Sequence, residues 1–156
     1  MDPQDIPESR TYRHLQCDQE TNVSGQPFEV ISNPLSDMTR TWCNHCDSFF
    51  PLSDYEWADT GENITEYYSR HSASATQLQR FLCSKRFLII LVVVGFILGA
   101  VAGFLLFRND ALWLKIVMTP ACGFFGVFGA AAVYVSVICN MVVRKVCGVS
   151  DTRVLK

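Results

Sequence analysis

The hydrophobic positions divide the chain into two halves of opposite character. Residues 1–79 contain almost no apolar run longer than two residues, whereas residues 87–143 are nearly all apolar. The first apolar segment, residues 87–107, has 21 residues without a charge, and the second covers residues 116–143. A helix rises about 1.5 Å per residue, so each segment can cross a hydrocarbon core of roughly 30 Å. The pattern therefore predicts two transmembrane helices.

The connector between these helices, residues 108–115, is short, so the helices should be antiparallel neighbours with both chain ends on one side. Seven Lys and Arg residues flank the hairpin on its terminal side, against two in the connector. Basic residues next to membrane spans stay in the cytosol, which predicts cytosolic termini. The N-terminus is acidic and polar, so we expect no signal peptide and expect the first apolar segment to be the targeting signal too.

The polar half has little to bury. Residues 1–42 are rich in Asp, Glu, Gln, Ser, Thr, Asn and Pro, a composition typical of disorder. We predict an all-α membrane protein, a two-span transmembrane helical hairpin with a largely disordered N-terminal arm. Its predicted parts are a disordered acidic arm (1–42), a CxxC knuckle (43–50), a polar linker and juxtamembrane segment (51–86), the first transmembrane helix (87–107), a short loop (108–115), the second transmembrane helix (116–143) and a basic cytosolic tail (144–156).

Charge is also unevenly distributed. Residues 1–79 carry four Arg against thirteen Asp and Glu, a net charge of −9, whereas residues 80–156 carry nine Lys and Arg against two Asp, a net charge of +7. An acidic arm is repelled by anionic lipid surfaces and by nucleic acid. We therefore expect the lipid bilayer and proteins as partners, and no nucleic acid.

One segment of the polar half carries candidate metal chemistry. Cys43 and Cys46 are separated by two residues and flanked by aromatic residues, so both thiolates can bind one tetrahedral zinc ion. His14 and Cys17 repeat this spacing upstream, which makes a site of His14, Cys17, Cys43 and Cys46 arithmetically feasible. His71 and His45 are further candidates. A single CxxC pair is also typical of reduced cytosolic thiols without metal, and both interpretations stay open.

The apolar segments contain regularly spaced small residues that let helices approach closely. Gly95, Gly99 and Gly103 are spaced by four, and the second segment has its own set, Gly123, Gly126 and Gly129. We favour packing of the two helices on each other within one chain, because the hairpin already offers each glycine face a partner. Self-association into a homo-oligomer is the alternative. Within the apolar segments no charged residue suggests a transport site.

Two short patterns predict cellular handling. Tyr12-Arg-His-Leu15 fits the Tyr-x-x-hydrophobic signal that sorting adaptors bind in an extended peptide. Cys83 and Cys147 lie next to the spans, where thiols are palmitoylated. Ordinary boundary cysteines explain the second pattern equally well.

The order of Cys43-x-His45-Cys46, a linker, a basic boundary with Cys83 and two spans resembles one family. It is similar to the C-terminal part of the phosphatidylinositol-4,5-bisphosphate 4-phosphatase membrane proteins of late endosomes and lysosomes, over roughly residues 41–147. The resemblance implies an endosomal or lysosomal membrane. That family has several CxxC pairs and this chain has one. The family's Cys-x5-Arg motif lies in its cysteine-rich region, whereas Cys147 and Arg153 follow the second span, so no catalytic residue is carried over.

We therefore predict a non-enzymatic double-pass membrane protein, an adaptor or regulator of endomembrane traffic or of a larger membrane complex. Two alternatives remain. Cys147 and Arg153 have the spacing of a cysteine-dependent phosphatase, and the family resemblance implies, as one alternative, a phosphoinositide phosphatase-like protein. Alternatively, the glycine-rich spans would assemble into a small oligomeric pore.

Overall fold

The structure, a computed structural model, describes residues 6–156. The chain divides into two compact units. We call residues 1–77 together with 143–156 the polar unit, and residues 78–142 the apolar unit. The first five residues of the predicted arm lie outside the described residues.

Five short strands and two helices build most of the polar unit. In chain order they are β1 (Ser9–His14), β2 (Gln19–Ser24), α1 (Gly25–Ser32), β3 (Arg40–Cys43), β4 (Ser48–Pro51), a 3-10 turn (Leu52–Asp54), β5 (Tyr55–Trp57) and α2 (Ile64–His71). Strands β2, β1 and β5 form an antiparallel sheet in that order, and β3 and β4 form a separate antiparallel hairpin. The unit therefore has two β-hairpins, each turning through a short loop.

Aromatic side chains form the core of the polar unit. Its most buried hydrophobic members, each at most 2% exposed, are Tyr12, Phe28, Ile31, Cys43, Tyr55, Trp57, Ile64 and Tyr67. Tyr12 and Tyr55 meet edge to face at 5.2 Å between ring centroids, and Trp57 and Tyr67 do so at 5.7 Å. Edge-to-face aromatic pairs are favourable beyond their buried area. A few large rings thus give this short, polar sequence a core.

The tyrosine hydroxyls also join the two hairpins. Tyr12 donates a hydrogen bond to the carbonyl oxygen of Trp42 at 2.6 Å, and Tyr55 donates to that of Thr41 at 3.1 Å. Both acceptors are in β3, while both donors are in the other sheet. Because buried polar groups are costly without a partner, these bonds fix the position of the β3–β4 hairpin against the sheet.

The prediction of a disordered arm is wrong for residues 6–42, and the all-α class is wrong with it. The inward positions of β1 are Arg10, Tyr12 and His14, of which only one counts as hydrophobic. A core built from polar and aromatic side chains leaves no alternating hydropathy pattern, so composition alone indicates disorder. The predicted linker of residues 51–86 likewise contains β5 and α2.

The segment after the apolar unit folds into the polar unit. Leu155 is 8% exposed and joins the aromatic core. Arg10 donates from Nη1 to the carbonyl oxygen of Leu155 at 3.2 Å, stacks over the Trp57 ring at 4.0 Å and pairs with Asp59 at 3.0 Å. Residues 144–156, predicted as a basic cytosolic tail, are therefore part of the folded polar unit.

Two long helices dominate the apolar unit. After α2, the remaining helical elements of the chain are α3 (Gln77–Leu82), α4 (Lys85–Leu106), α5 (Leu112–Val133), a π-helical turn (Tyr134–Cys139), α6 (Asn140–Cys147) and a 3-10 turn (Thr152–Val154). The two long ones are α4 and α5. The prediction of two helices long and apolar enough to cross a membrane is confirmed. Only 6% and 11% of their most apolar stretches are buried, whereas a core helix of a soluble protein is mostly buried.

Candidate metal centre

The turn between β1 and β2 carries the first pair of candidate ligands. His14 is the last residue of β1, and Cys17 lies in the turn. The backbone N–H of Asp18 donates to the carbonyl oxygen of His14 at 2.8 Å, and Asp18 has a φ of +55°. Asp tolerates this left-handed conformation better than most residues. The chain therefore folds back after Cys17, which brings the His14 and Cys17 side chains together.

The turn between β3 and β4 repeats this geometry. Cys43 is the last residue of β3, Cys46 lies in the turn, and Asp47 has a φ of +50°. In both turns a ligand ends a strand, a cysteine follows three residues later, and an aspartate in the left-handed region comes next. Each turn is thus a knuckle that presents two ligand atoms on one side.

The two knuckles bring their four ligand atoms together. His14, Cys17, Cys43 and Cys46 each place a ligand atom within 4.8 Å of the other three. The Cys17 and Cys43 sulfurs are 3.7 Å apart, and His14 Nδ1 is 3.2 Å from Cys17 Sγ and 3.7 Å from Cys46 Sγ. Ligands of a tetrahedral zinc ion with Zn–S bonds of 2.3 Å lie about 3.7 Å apart. The spacing therefore fits one metal ion.

His14 is held in one orientation by its neighbours. Its ring is fully buried and lies between Phe50, at 4.4 Å between centroids, and Tyr55, at 4.8 Å. Nδ1 faces the thiols, while Nε2 is buried without a hydrogen-bond partner among residues 6–156. This arrangement favours metal binding through Nδ1, with the proton on Nε2.

The electrostatics of the cluster favour a bound cation. Burial alone would raise the pKa of Cys43, but the backbone N–H groups of Cys46 and His45 and the Cys17 thiol outweigh it and lower that pKa. Burial, followed by the neighbouring Cys17 and Cys43, raises the pKa of Cys46 to about 12. Crowded thiolates repel each other, and a divalent cation removes that repulsion. Metal binding would therefore ionise all three thiols.

The centre is deepest on its core side. Cys43 is fully buried within the aromatic core, and Cys17 packs against that core. Cys46 is the most exposed of the four candidate ligands. An ion can therefore enter past Cys46 and be sheltered by the core once bound. His71 lies elsewhere in the unit, against Tyr67, and His45 is exposed in the second knuckle.

The predicted sorting signal does not fit this fold. Tyr12 is 2% exposed, and its hydroxyl is bonded to β3. Leu15 is half exposed, but it lies in the first knuckle rather than on an extended peptide. A sorting adaptor inserts the tyrosine of such a signal into its own pocket. In the folded unit Tyr12 fills the core and is withheld from an adaptor.

Cys147 and Arg153 are not arranged as a phosphatase loop. The Cys147 thiol packs against the core of the polar unit and lies 3.7 Å from the carbonyl oxygen of His71. The Arg153 guanidinium forms hydrogen bonds and an ion pair with Asp151, the shortest at 2.6 Å. A phosphate-binding loop needs an accessible thiolate and a free guanidinium. Cys147 and Cys83 are both half-buried, and their palmitoylation stays a prediction.

Most of the predicted glycines lie between the two long helices. A Cβ atom on Gly95 would be 2.6 Å from the Gly126 carbonyl oxygen, and one on Gly99 would be 2.3 Å from the Cys122 carbonyl oxygen. A Cβ on Gly103 would meet Cys122, and one on Gly123 would meet Phe96. Gly129 has open space instead. The structure thus places five of the six predicted glycines at contacts within one chain.

Beyond the shared spacing of the two ligand pairs, the sequence carries one further signal of the metal centre, an aspartate directly after Cys17 and after Cys46. His14-Leu-Gln-Cys-Asp18 and Cys43-Asn-His-Cys-Asp47 are two copies of one pattern, ligand-x-x-Cys-Asp. The shared aspartate is the residue that adopts the left-handed conformation in both turns. A hydropathy profile does not reveal this repeat, because what is repeated is the pattern of turn and ligand residues rather than a pattern of apolar residues. The rings of Phe50 and Tyr55 around His14 have no comparable local signal.

Comparison of the chain with protein-family models, with curated proteins and with solved structures found no match.

Proposed function

We propose that this chain is a double-pass membrane protein whose polar unit is a structural zinc module, acting without catalysis as an adaptor or regulator that binds other proteins. The convergence of His14, Cys17, Cys43 and Cys46 from two separate turns carries this proposal. Zinc suits a tetrahedral set of three thiolates and one imidazole.

The ligand set supports a structural role for the metal. Four protein ligands complete a tetrahedral shell, whereas a catalytic zinc keeps one position for water or substrate. The two ligand pairs come from different hairpins, so the ion would cross-link the sheet to β3–β4. Such a cross-link would add stability to a unit whose strands are short and whose core has few apolar residues.

Two observations support insertion as a hairpin. The long helices expose most of their apolar surface, which a bilayer would cover. Residues on both sides of the hairpin, 6–77 and 143–156, belong to one folded unit, which supports their location on the same side of a membrane. The excess of flanking positive charge supports a cytosolic location for that side, where the thiols would stay reduced. The endosomal or lysosomal membrane is proposed on the family resemblance alone.

A surface beside the metal centre supports protein binding. Trp42 and Phe49 meet edge to face at 5.0 Å on the second hairpin, and Phe49 is 59% exposed. They border a pocket of about 250 Å³ that β2, α1 and β3 also line, with Arg40 at its rim. An exposed aromatic side chain, supported by a half-buried tryptophan and close to an arginine, is typical of interface hot spots. Zinc would hold this surface rigid by fixing the hairpin.

Metal analysis of the purified full chain tests the module. We expect about one zinc per chain by elemental mass spectrometry, and cobalt substitution should give the visible absorption of a tetrahedral thiolate site. Cys43→Ser and His14→Asn should lose most of the metal. The matched controls Cys83→Ser and Cys122→Ser remove thiols outside the cluster and should keep it. Equal metal content in Cys43→Ser and wild type would overturn the proposal.

Proximity labelling in cells tests the adaptor role, with the labelling enzyme on the N-terminus. We expect cytosolic neighbours and endosomal or lysosomal membrane proteins. Trp42→Ala with Phe49→Ser should lose a defined subset of the cytosolic neighbours, while the exposed control Glu66→Gln should keep them. Lumenal neighbours would contradict the proposed topology, and an unchanged set in the double variant would exclude this surface as the binding site.

A further inference from the structure

We propose that the corner at the start of the apolar unit, residues 78–86, is an interfacial element that binds anionic phospholipids. The inference rests on the membrane insertion proposed above and is independent of the metal centre. It concerns the end of α3 and the first turn of α4, which we call the basic corner.

The backbone of the basic corner changes direction at one residue. Helix α3 ends at Leu82, and Ser84 is extended, with φ −81° and ψ 153°. Ser84 Oγ accepts a hydrogen bond from the backbone N–H of Phe87 at 3.3 Å and donates one to the carbonyl oxygen of Phe81 at 2.6 Å. Ser84 therefore caps α4 and joins it to α3, so α3 does not simply continue the axis of α4.

Aromatic contacts hold this change of direction. Phe81 and Phe87 meet edge to face at 5.5 Å across the corner. Tyr134, from the π-helical turn, donates from its hydroxyl to the carbonyl oxygen of Ser84 at 3.3 Å, and its ring lies 6.3 Å from Phe87. The corner is therefore tied to both long helices, and α3 is held at a defined angle where α4 begins.

The apolar side chains of α3 are not buried in a protein core. Leu78 is 66% exposed and Phe81 is 41% exposed, and no residue of α3 is buried. They are continuous with the exposed apolar surface of α4, which begins its apolar run at Phe87 and includes Ile89 at 61% exposure. An apolar surface that continues directly from a membrane span is covered most simply by the same bilayer.

Charge identifies the class of lipid. Arg80, Lys85 and Arg86 are all exposed, and residues 67–109 contain no Asp or Glu. Each basic residue next to an anionic membrane surface strengthens association by about fivefold. The long stems of Lys and Arg can lie along the acyl chains while their charges reach the headgroups. Anionic headgroups are therefore the occupant that matches both the apolar and the basic parts.

Lipid selectivity of the full chain in bilayers tests the charge recognition. Spin-labelled lipids in contact with the protein give a motionally restricted signal. We expect phosphatidylserine and phosphatidylglycerol to be favoured over phosphatidylcholine by at least about threefold. Arg80→Gln, Lys85→Gln and Arg86→Gln together should reduce that preference toward one. The matched connector variant, Arg108→Gln with Lys115→Gln, should retain most of it.

Similar preferences for the two anionic lipids would identify charge as the recognised feature, and a preference for only one would overturn charge recognition. An undiminished preference in the triple variant would also overturn the inference. A motionally restricted signal without any lipid selectivity would agree with the membrane-inserted hairpin. It would contradict only the proposal that the basic corner binds anionic lipids.

Photocrosslinking tests where α3 lies. Benzoylphenylalanine would replace Phe81, with Leu98 in mid-helix and Glu66 in the polar unit as references. We expect lipid adducts, identified by mass, from positions 81 and 98 and none from position 66. Lipid adducts at 98 with only protein adducts at 81 would assign α3 to a protein interface and overturn the inference. Absence of lipid adducts at 98 would instead contradict membrane insertion itself.

Discussion

The two units of this chain reach order by opposite means. In the apolar unit, α4 and α5 touch through backbone, because glycines such as Gly95 and Gly126 remove the side chains that would keep the helices apart. In the polar unit, large side chains such as Trp57 fill a core, and ligands from distant turns converge. The first arrangement depends on neighbours in one hairpin, and the second on contacts between remote parts of the sequence.

This difference indicates what stabilises each unit. In the bilayer that we propose, each helix satisfies the hydrogen bonds of its own backbone, so the apolar unit would need only a close fit between two helix surfaces. The polar unit has short strands and few apolar residues, so its hairpins need a cross-link as well as a core. We therefore expect the polar unit to depend on metal and the apolar unit to be indifferent to it.

Metal removal should separate the two units most strongly. Structural zinc contributes on the order of 10 kcal/mol to small zinc domains at pH 7. Chelation, or the Cys43→Ser substitution, should unfold the polar unit and expose it to protease, while residues 85–106 stay protected in the bilayer. Limited proteolysis with mass mapping measures both. Protection of residues 9–57 that is unchanged by chelation would contradict a metal-dependent fold.

Adding a side chain at the close contact between the long helices should have the next largest effect on stability. Gly99→Ala places a Cβ 2.3 Å from the Cys122 carbonyl oxygen, so the helices must separate. We expect a loss of up to about 3 kcal/mol of hairpin stability, as for overpacked cores. The control Gly129→Ala meets nothing within 4 Å and should be neutral. Denaturant titration in mixed micelles measures both, and equal effects would argue against intrachain glycine packing.

The same contrast explains what the sequence could predict. The two long helices can be predicted from uninterrupted apolar runs. Such a run is a local signal that can be recognised without knowing any tertiary contact. The four metal-site residues follow from spacing, and the structure brings that same set together. The fold around them does not follow. Arg10 and His14 occupy core positions of β1, and Leu155 completes the core from the far end of the chain. These contacts join residues that are distant in the sequence, so they leave no local pattern. The polar composition of residues 1–42 then indicates disorder although residues 6–42 are folded.

Two arginines on one strand should differ in their contribution to the polar unit. Arg10 is 9% exposed and is held by Trp57, Asp59 and the Leu155 carbonyl. Arg13, also in β1, pairs with Glu56 at the surface. We expect Arg10→Met to cost about 2 kcal/mol, because it leaves polar groups without partners and releases residues 143–156.

The matched substitution Arg13→Met should cost well under 1 kcal/mol, as exposed ion pairs usually do. Thermal unfolding of the zinc-loaded chain compares the two variants. Hydrogen exchange of residues 143–156 adds a local readout, since only the Arg10 variant should increase it. Equal exchange in both variants would show that Arg10 does not hold this segment.

Mild acid should have the smallest effect and should act only on the polar unit. Burial, and then the adjacent Arg70, lower the pKa of His71 below its usual 6.5, and its Nε2 is buried without a partner among the described residues. The unfolded chain therefore binds a proton at a higher pH than the folded chain does. His71 contributes stability above about pH 6.5, and that contribution is lost as the pH falls through the folded pKa.

This contribution should stay below about 1 kcal/mol, because the group is only partly buried and solvent screens it. Unfolding of the full chain between pH 7.5 and 5.5 measures it, with zinc content followed in parallel to exclude release of the metal. His71→Gln should flatten the dependence, while His45→Gln, at an exposed turn position, should leave it unchanged. A slope that persists in His71→Gln would move the origin of acid sensitivity to the metal ligands. The polar unit would then depend on its cross-link even where its core is intact.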